Sequence, residues 1–348
     1  LVNKIYLNAG VSANAQPVAR ANAREFLNRV KDLEDPQFKG GTTLSGIMEA
    51  DDFKFMTEGG GGGMGDPMLL VQKYFGPKVA SSVAQLDGAD DIQKFAENLV
   101  KIKDRFKIDF TIVNGENSAG GYGITGKIYE EMMNWGVDAV TLGNHAWKKD
   151  EIIPYMESNP NHNIIRPLNF PEGSPGQGFK IFTHMNGKRI LVCQVHGETF
   201  IDLPLDNPFQ SIDTKILSII NDHDIDYSFL EVHAEVTSEK NGIAQHYDGK
   251  FTAIYGTHVH IPTMDARILE KGTCFQTDIG MTGDYNSVIG MKKDNAIKRM
   301  RTKNLSHRLE PAEGEATISG AIISTDPNNN NSIQSIQIGG VLDRNLLS

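Results

Sequence analysis

The chain has 348 residues, 39% of them apolar, enough for one large domain or two ordinary ones with a sizeable core. Lys plus Arg number 34 against 44 Asp plus Glu, a formal charge of −10, which argues against a dedicated nucleic-acid coat protein. No apolar run reaches the roughly 18 residues a membrane span needs, and no leader pattern opens the chain, so no membrane association and a cytoplasmic setting are expected. Cys193 and Cys274 are the only cysteines. Both lie in apolar, strand-like runs and read as buried thiols.

Residues 1–91 are rich in Ala, Gly, Asn and Asp. "PVARANAREFLNRVKDL" (17–33) reads as a helix, and "PMLLVQKYFG" (67–76) as a short one stopped by Gly76 and Pro77. Between them "TEGGGGGMGDP" reads as a flexible linker, because five glycines in a row order at high entropic cost. This stretch is read as an N-terminal extension with a partner of its own, and residues 92–348 as the main domain. "VASSVAQL" (79–86) suits a strand poorly and a helix equally well.

From residue 92 the pattern becomes regular. "IQKFAENLVKIKDRF" puts Ile92, Phe95, Ala96, Leu99 and Val100 on one helical face. A strand over 110–115, a helix over 124–136 and a strand over 138–144 follow. Further strands are expected over 189–197, 227–235, 251–260 and 273–281, with a helix over 214–224. "ATISGAIIS" (316–324) and "SIQSIQIGG" (332–340) close the series, separated by the polar turn "DPNNNN". Alternating helices and strands, then mainly strands, predict an α/β domain with mixed sheets.

Four of these strands finish on groups that bind metal ions. "VNGEN" presents Glu116 and Asn117, "LGNH" Asn144 and His145, "EVHAE" His233 with Glu235 two residues on, and "YGTHVH" His258 and His260. Each follows an apolar run, so these groups gather at the carboxyl edge of the sheet, where α/β folds build their sites. Imidazole, carboxylate and carboxamide together suit iron, zinc or manganese. Two such ions about 3.5–4 Å apart activate water and clamp a phosphoryl group. On an extended chain, residues i and i+2 face one way, so His258 and His260 are expected to point at one centre together.

Other features have blander readings. "GMKKDNAIKRMRTKN" (290–304) carries six Lys and Arg and reads first as a solvated helix face. "GGYG" (120–123) lacks the Lys-Ser/Thr of a P-loop and reads as a turn near the metals. His162, His184, His223, His246 and His307 read as surface residues, and His196 as a residue at the pocket edge rather than a ligand. Asp278 is open to two roles, support of a histidine from behind and an Asx-turn.

The segments "FTIVNGENSAGGYGIT", "GVDAVTLGNHAW", "RPLNFPEGSPGQG", "VHAEVTSEK", "YGTHVHIPTMDARIL" and "TDIGMTGDYNSVIGM" resemble the YmdB family of bacterial calcineurin-like metallophosphoesterases, over about residues 92–345. The resemblance implies a four-layer sandwich, two mixed β-sheets flanked by helices, with a dinuclear iron or manganese centre at one end. It assigns Glu116, Asn117, Asn144, His233, His258 and His260 as metal ligands and His145 as the catalytic histidine that meets the phosphoryl group. It implies hydrolysis of a phosphodiester, with cyclic nucleotides or an RNA end as substrates, and leaves room for a homo-oligomer. The family opens with a strand ending in Gly-Asp, whose Asp is a ligand. No clean counterpart stands here. Counting back from Glu116 reaches Gln85, and Asp87, two residues on, is taken as the candidate metal ligand in its place. The alternative is a degenerate member that serves as a binding or structural module without catalysis.

Overall fold

A computed structural model describes residues 80–85, 89–222, 224–326, 330–344 and 346. The helices and linker expected over 17–76, together with Asp87 and His223, lie outside the described residues. The first half runs β1 (Ala80–Gln85), α1 (Ala89–Phe106), β2 (Phe110–Asn114), α2 (Gly126–Asn134), β3 (Ala139–Thr141), α3 (Ile152–Ser158), β4 (Ile164–Ile165), β5 (Phe179–Thr183) and β6 (Arg189–His196). Then come α4 (Pro208–Lys215), α5 (Leu217–Asp222), β7 (Tyr227–His233), α6 (Thr237–His246), β8 (Ala253–Thr257), β9 (Arg267–Ile268) and β10 (Cys274–Gln276). The chain ends with α7 (Lys293–Thr302), β11 (Ile318–Thr325) and β12 (Asn331–Ile338).

Among the described residues the strands form two mixed sheets. One has the order β12-β11-β1-β2-β3-β4, the other β5-β6-β7-β8-β10-β9. β1 to β4 are parallel, as are β6, β7, β8 and β10, and the antiparallel strands lie at the flanks. Period-two alternation sorts the side chains of β6. Ile190 and Val192 face inward and join Phe110, Ile112, Phe229, Tyr255 and Cys274 in the core between the sheets. Leu191, Cys193 and Val195 face outward and pack with Ile212, Ile243 and Tyr247 of the flanking helices. The two cysteines are buried and unpaired, as their sequence context implies.

Several elements differ from the sequence reading for identifiable reasons. "ASSVAQ" is strand β1, because it is paired on both sides, parallel to β2 and antiparallel to β11. The sheet therefore reaches upstream of residue 92. On α1, Phe95, Leu99 and Ile102 are buried while Val100 is half exposed, so the buried stripe follows 95-99-102. The helix expected over 214–224 begins earlier, where Asn207 accepts from the N–H of Gln210 and Pro208 takes the first turn. It also breaks into two short helices at Ile216. The basic stretch forms helix α7 with only Ala296 buried, a solvated face as read. His162 is buried rather than at the surface, its Nδ1 accepting from the N–H of Ile164. No helix among the described residues is long and apolar enough to cross a membrane.

One buried carboxylate ties the sheets together. Glu231, in the middle of β7, is fully buried. It accepts hydrogen bonds from Asn114 Nδ2 (2.6 Å) and Thr141 Oγ1 (2.6 Å) of the first sheet. From its own sheet it accepts from Gln194 Nε2 (2.8 Å), Thr257 Oγ1 (2.7 Å) and the Tyr255 hydroxyl (3.3 Å). A buried donor left without its acceptor costs about 1–3 kcal/mol. Glu231→Ala strands several donors at once, so it is expected to lower unfolding stability by several kcal/mol, with Glu231→Gln losing less. Urea unfolding of the two variants measures the difference.

Candidate metal centre

Parallel strands bring their carboxyl ends to one edge, and strand register sets the order there. In the second sheet His196 pairs with His233, and His233 with Thr257, across β6, β7 and β8. In the first sheet Gln85 pairs with Asn114, and Asn114 with Thr141. Glu116, Asn117, Asn144 and His145 sit just beyond these last two strands. Asn114 sets this loop. Its Oδ1 accepts from the N–H of Glu116 (3.1 Å), and its Nδ2 donates to the carbonyl of Leu142 (2.7 Å).

All seven site residues predicted within the described chain converge. Glu116 Oε2 lies 2.9 Å from His233 Nε2, and Oε1 accepts from the N–H of His145 at 2.9 Å. Asn144 Oδ1 is 3.1 Å from His233 Nε2, and His258 Nδ1 is 3.2 Å from that same nitrogen. Ligand atoms of Glu116, His233 and His258 all lie within 4.8 Å of one another. Asn117 forms the other half, its Nδ2 3.3 Å from His260 Nε2 and its Oδ1 3.1 Å from His145 Nδ1. His145 also lies 3.4 Å from Glu116 Oε1, and its side chain is 23% exposed where Glu116 and His233 are sealed. Tyr122, from the "GGYG" turn, meets the His145 ring edge to face at 5.1 Å.

One ring nitrogen of each of three clustered histidines is held from behind. His233 Nδ1 bonds Thr257 Oγ1 (2.8 Å), whose hydroxyl in turn donates a hydrogen bond to Glu231. His258 Nε2 bonds Glu235 (3.0 Å), and His260 Nδ1 bonds the carbonyl of Ile289 (3.3 Å). Such anchoring orients the other ring nitrogen toward a cation. The donor set therefore fits metal ions. It gathers a carboxylate, two carboxamides and three imidazoles whose remaining nitrogens turn inward.

His258 and His260 reach the cluster by a route the sequence does not suggest. β8 ends at Thr257, and both histidines then adopt left-handed backbone, φ 93° and 69°. Non-glycine residues rarely sit there, and such strain collects at functional sites. The shared-face reading for an extended chain therefore gives way to a tight bend that sends His258 to His233 and His260 to Asn117. Asp278 Oδ2 secures the bend, accepting from the N–H of Val259 (3.2 Å) between the two histidines. Its Oδ1 accepts from the N–H of Gly280 (2.9 Å), an Asx-turn. The Asp278 carboxylate is in turn held by buried Lys240 at 2.7 Å. Asp278 thus supports the histidines through their backbone, not their rings.

Electrostatics follow from burial. Burial pushes the Glu116 carboxyl up, but the imidazoles of His233 and His145 outweigh it and hold the group well below the usual carboxylate range. Burial, aided by His233 and opposed by Glu116, lowers the His258 ring to about 2. His196, buried beside His233, is lowered to about 4, and burial lowers His145 against the pull of Glu116. Gly143 has no room for a side chain, because a Cβ would collide with His233 Nε2 and the Glu116 carboxylate.

Two mixed sheets flanked by helices, with this cluster at their carboxyl edge, define a hydrolase of the metallophosphoesterase class. The family model for YmdB-like protein matches residues 83–338, and the chain belongs to that family. A 2′,3′-cyclic-nucleotide 2′-phosphodiesterase of Bacillus subtilis (strain 168) is 45% identical over 230 residues, 66% of this chain and 84% of that one. A solved phosphatase of Mycoplasma pneumoniae is 30% identical with a TM-score of 0.69, over 78% of this chain and 96% of that one. A hypothetical protein of Thermus thermophilus has 35% identity and a TM-score of 0.67, over 74% and 99%.

Two expectations follow from the buried rings and the tight packing around them. An unfolded histidine takes up a proton near pH 6.5, whereas folded His196 and His258 stay neutral down to about 4 and about 2. Their contribution to stability is whole above pH 6.5 and is lost as pH falls below it. The urea midpoint of metal-free protein is therefore expected to be lower at pH 5 than at pH 7.5. Gly143→Ala is expected to cost about 1–3 kcal/mol by overpacking, read from the same unfolding curves.

Proposed function

We propose that this chain is a phosphodiesterase that opens cyclic nucleotides or related phosphodiesters at a two-metal centre. The observation that carries this reading is the position of Glu116. It meets His233, which gathers Asn144 and His258, and it also meets partly exposed His145, which touches Asn117 of the second pair, Asn117 and His260. The Bacillus subtilis relative, a cyclic-nucleotide phosphodiesterase by name, supports the substrate class. The strand β1 supports a catalytic domain that begins near residue 80 rather than 92.

Bound cations would supply an activated water and neutralise charge on the phosphoryl oxygens. Iron or manganese suits the mixed nitrogen and oxygen donors. The chain's own groups do the rest. Glu116 keeps its negative charge, which would help hold cations there. Asn144 Nδ2 lies 3.2 Å from His145 Nε2, and Glu116 and Asn117 face Nδ1, so the His145 ring is fixed on both sides. From there it delivers a proton to the leaving oxygen as the P–O bond breaks and water's oxygen bonds phosphorus, giving a phosphomonoester and a free hydroxyl.

His233→Ala is expected to abolish metal binding and turnover together, measured by metal analysis and by hydrolysis of bis-p-nitrophenyl phosphate and a 2′,3′-cyclic nucleotide. His145→Ala is expected to keep its metal and lose about 100-fold or more in kcat. Unchanged turnover in metal-loaded His145→Ala would overturn the proton-donor role. Full metal occupancy of the parent without turnover on either substrate would favour a binding module over an enzyme.

A further inference from the structure

His196 lies outside the ligand set described above, but its ring sits beside His233 and its Nε2 faces Asn144 of that set. Strand pairing puts it directly beside His233, and the two ring centroids are 5.2 Å apart. It is fully buried. Asn169 clamps its backbone from both sides, Oδ1 accepting from the His196 N–H (2.8 Å) and Nδ2 donating to its carbonyl (2.9 Å). His196 Nδ1 lies 2.6 Å from the carbonyl of Gly197. A carbonyl only accepts, so Nδ1 carries the proton and Nε2 presents its lone pair.

That lone pair faces Asn144. His196 Nε2 and Asn144 Oδ1 are 3.5 Å apart, and the same Oδ1 is 3.1 Å from His233 Nε2. Two acceptors do not bond each other. With ligand distances of about 2.0–2.2 Å, two ligand atoms on one ion lie about 3 to 4.3 Å apart, and the 3.5 Å to Asn144 Oδ1 falls in that range, while the ring stands outside the Glu116, His233 and His258 group and would have to turn toward it. The Nδ1 anchor matches the anchoring of His233, His258 and His260, each held from behind with the other nitrogen turned inward.

We propose that His196 is a further nitrogen ligand of the ion held by Asn144, His233 and His258. This rests on the reading of the cluster as a metal centre. It makes the two halves unequal, with three imidazoles on one and a single imidazole, His260, on the other. The nitrogen-rich half favours iron, cobalt or zinc over manganese, because imidazole suits those ions better.

The test uses the full chain, loaded with Co(II) at pH 7.5. In the parent, the paramagnetically shifted proton spectrum of the tighter site is expected to show three exchangeable imidazole N–H signals, from His196, His233 and His258. In His196→Gln one of these disappears, the visible Co(II) spectrum changes, and the tighter binding step weakens by about tenfold or more. Thermal unfolding of the metal-free variant is expected to remain cooperative, with a folded baseline at the binding temperature, which separates ligation from folding. Two shifted signals in the parent, or a folded His196→Gln with parental affinity and spectrum, would overturn the proposal. His233→Ala distinguishes the levels. If it loses Co(II) while His196→Gln binds as the parent does, the metal centre stands and this ligand falls. A parent that binds no Co(II) overturns both.

Discussion

The Glu231 carboxylate is the constraint from which the site is built. A buried charge has to be met by hydrogen bonds, because desolvation leaves it no other compensation. Here the donors come from β2, β3, β6 and β8, so meeting that demand fixes the separation and slide of the two sheets. The same residues sit directly behind the metal-facing groups. Asn114 also orients the Glu116 backbone and Leu142, and Thr257 orients His233. One acceptor thus holds in register the residues the two sheets contribute, Glu116 through Asn114 and His233 through Thr257.

The site is a set of lone pairs whose direction is settled from outside. His233, His258 and His260 are held by a hydroxyl, a carboxylate and a carbonyl in turn. None of these anchors resembles another, and they come from β8, the loop after β7 and the turn before α7. The shared outcome is geometric: His233 and His260 present Nε2, and His258 presents Nδ1. Glu116 contributes fixed negative charge from a sealed position, while His145 stays partly exposed.

Much of this is legible in the residues alone, and the limits have physical causes. Glu116, Asn144 and His233 stand out because each ends an apolar run, and parallel strands deliver such ends to one edge. "SFLEVHAE" carries a further signal that is easy to pass over. A carboxylate inside a continuous apolar strand has to be satisfied across the core, which is what Glu231 does. β1 is hard to recognise because "ASSVAQ" has few large apolar residues, and its identity comes from pairing with strands before and after it. The left-handed bend at His258 and His260 has no local signature, since neither residue favours that conformation. It is imposed by Asp278, which is distant in sequence. His196 sits at a strand end like His233, and its place against His233 becomes visible only once strand register is known.

Lys240 and Asp278 carry a consequence for how this sequence can change over time. Both are fully buried, and the carboxylate of the pair grips the bend between the two histidines. Gly256 leaves no slack beside them, since a Cβ there would strike the Lys240 side chain and the Thr277 carbonyl. Breaking a buried pair by removing one partner strands a charge and costs about 3–5 kcal/mol, whereas replacing both with apolar groups is often neutral. Losing either partner alone strands the other as a buried charge, and losing Asp278 also frees the Val259 and Gly280 N–H groups, so the histidine bend depends on a lysine that touches neither ring.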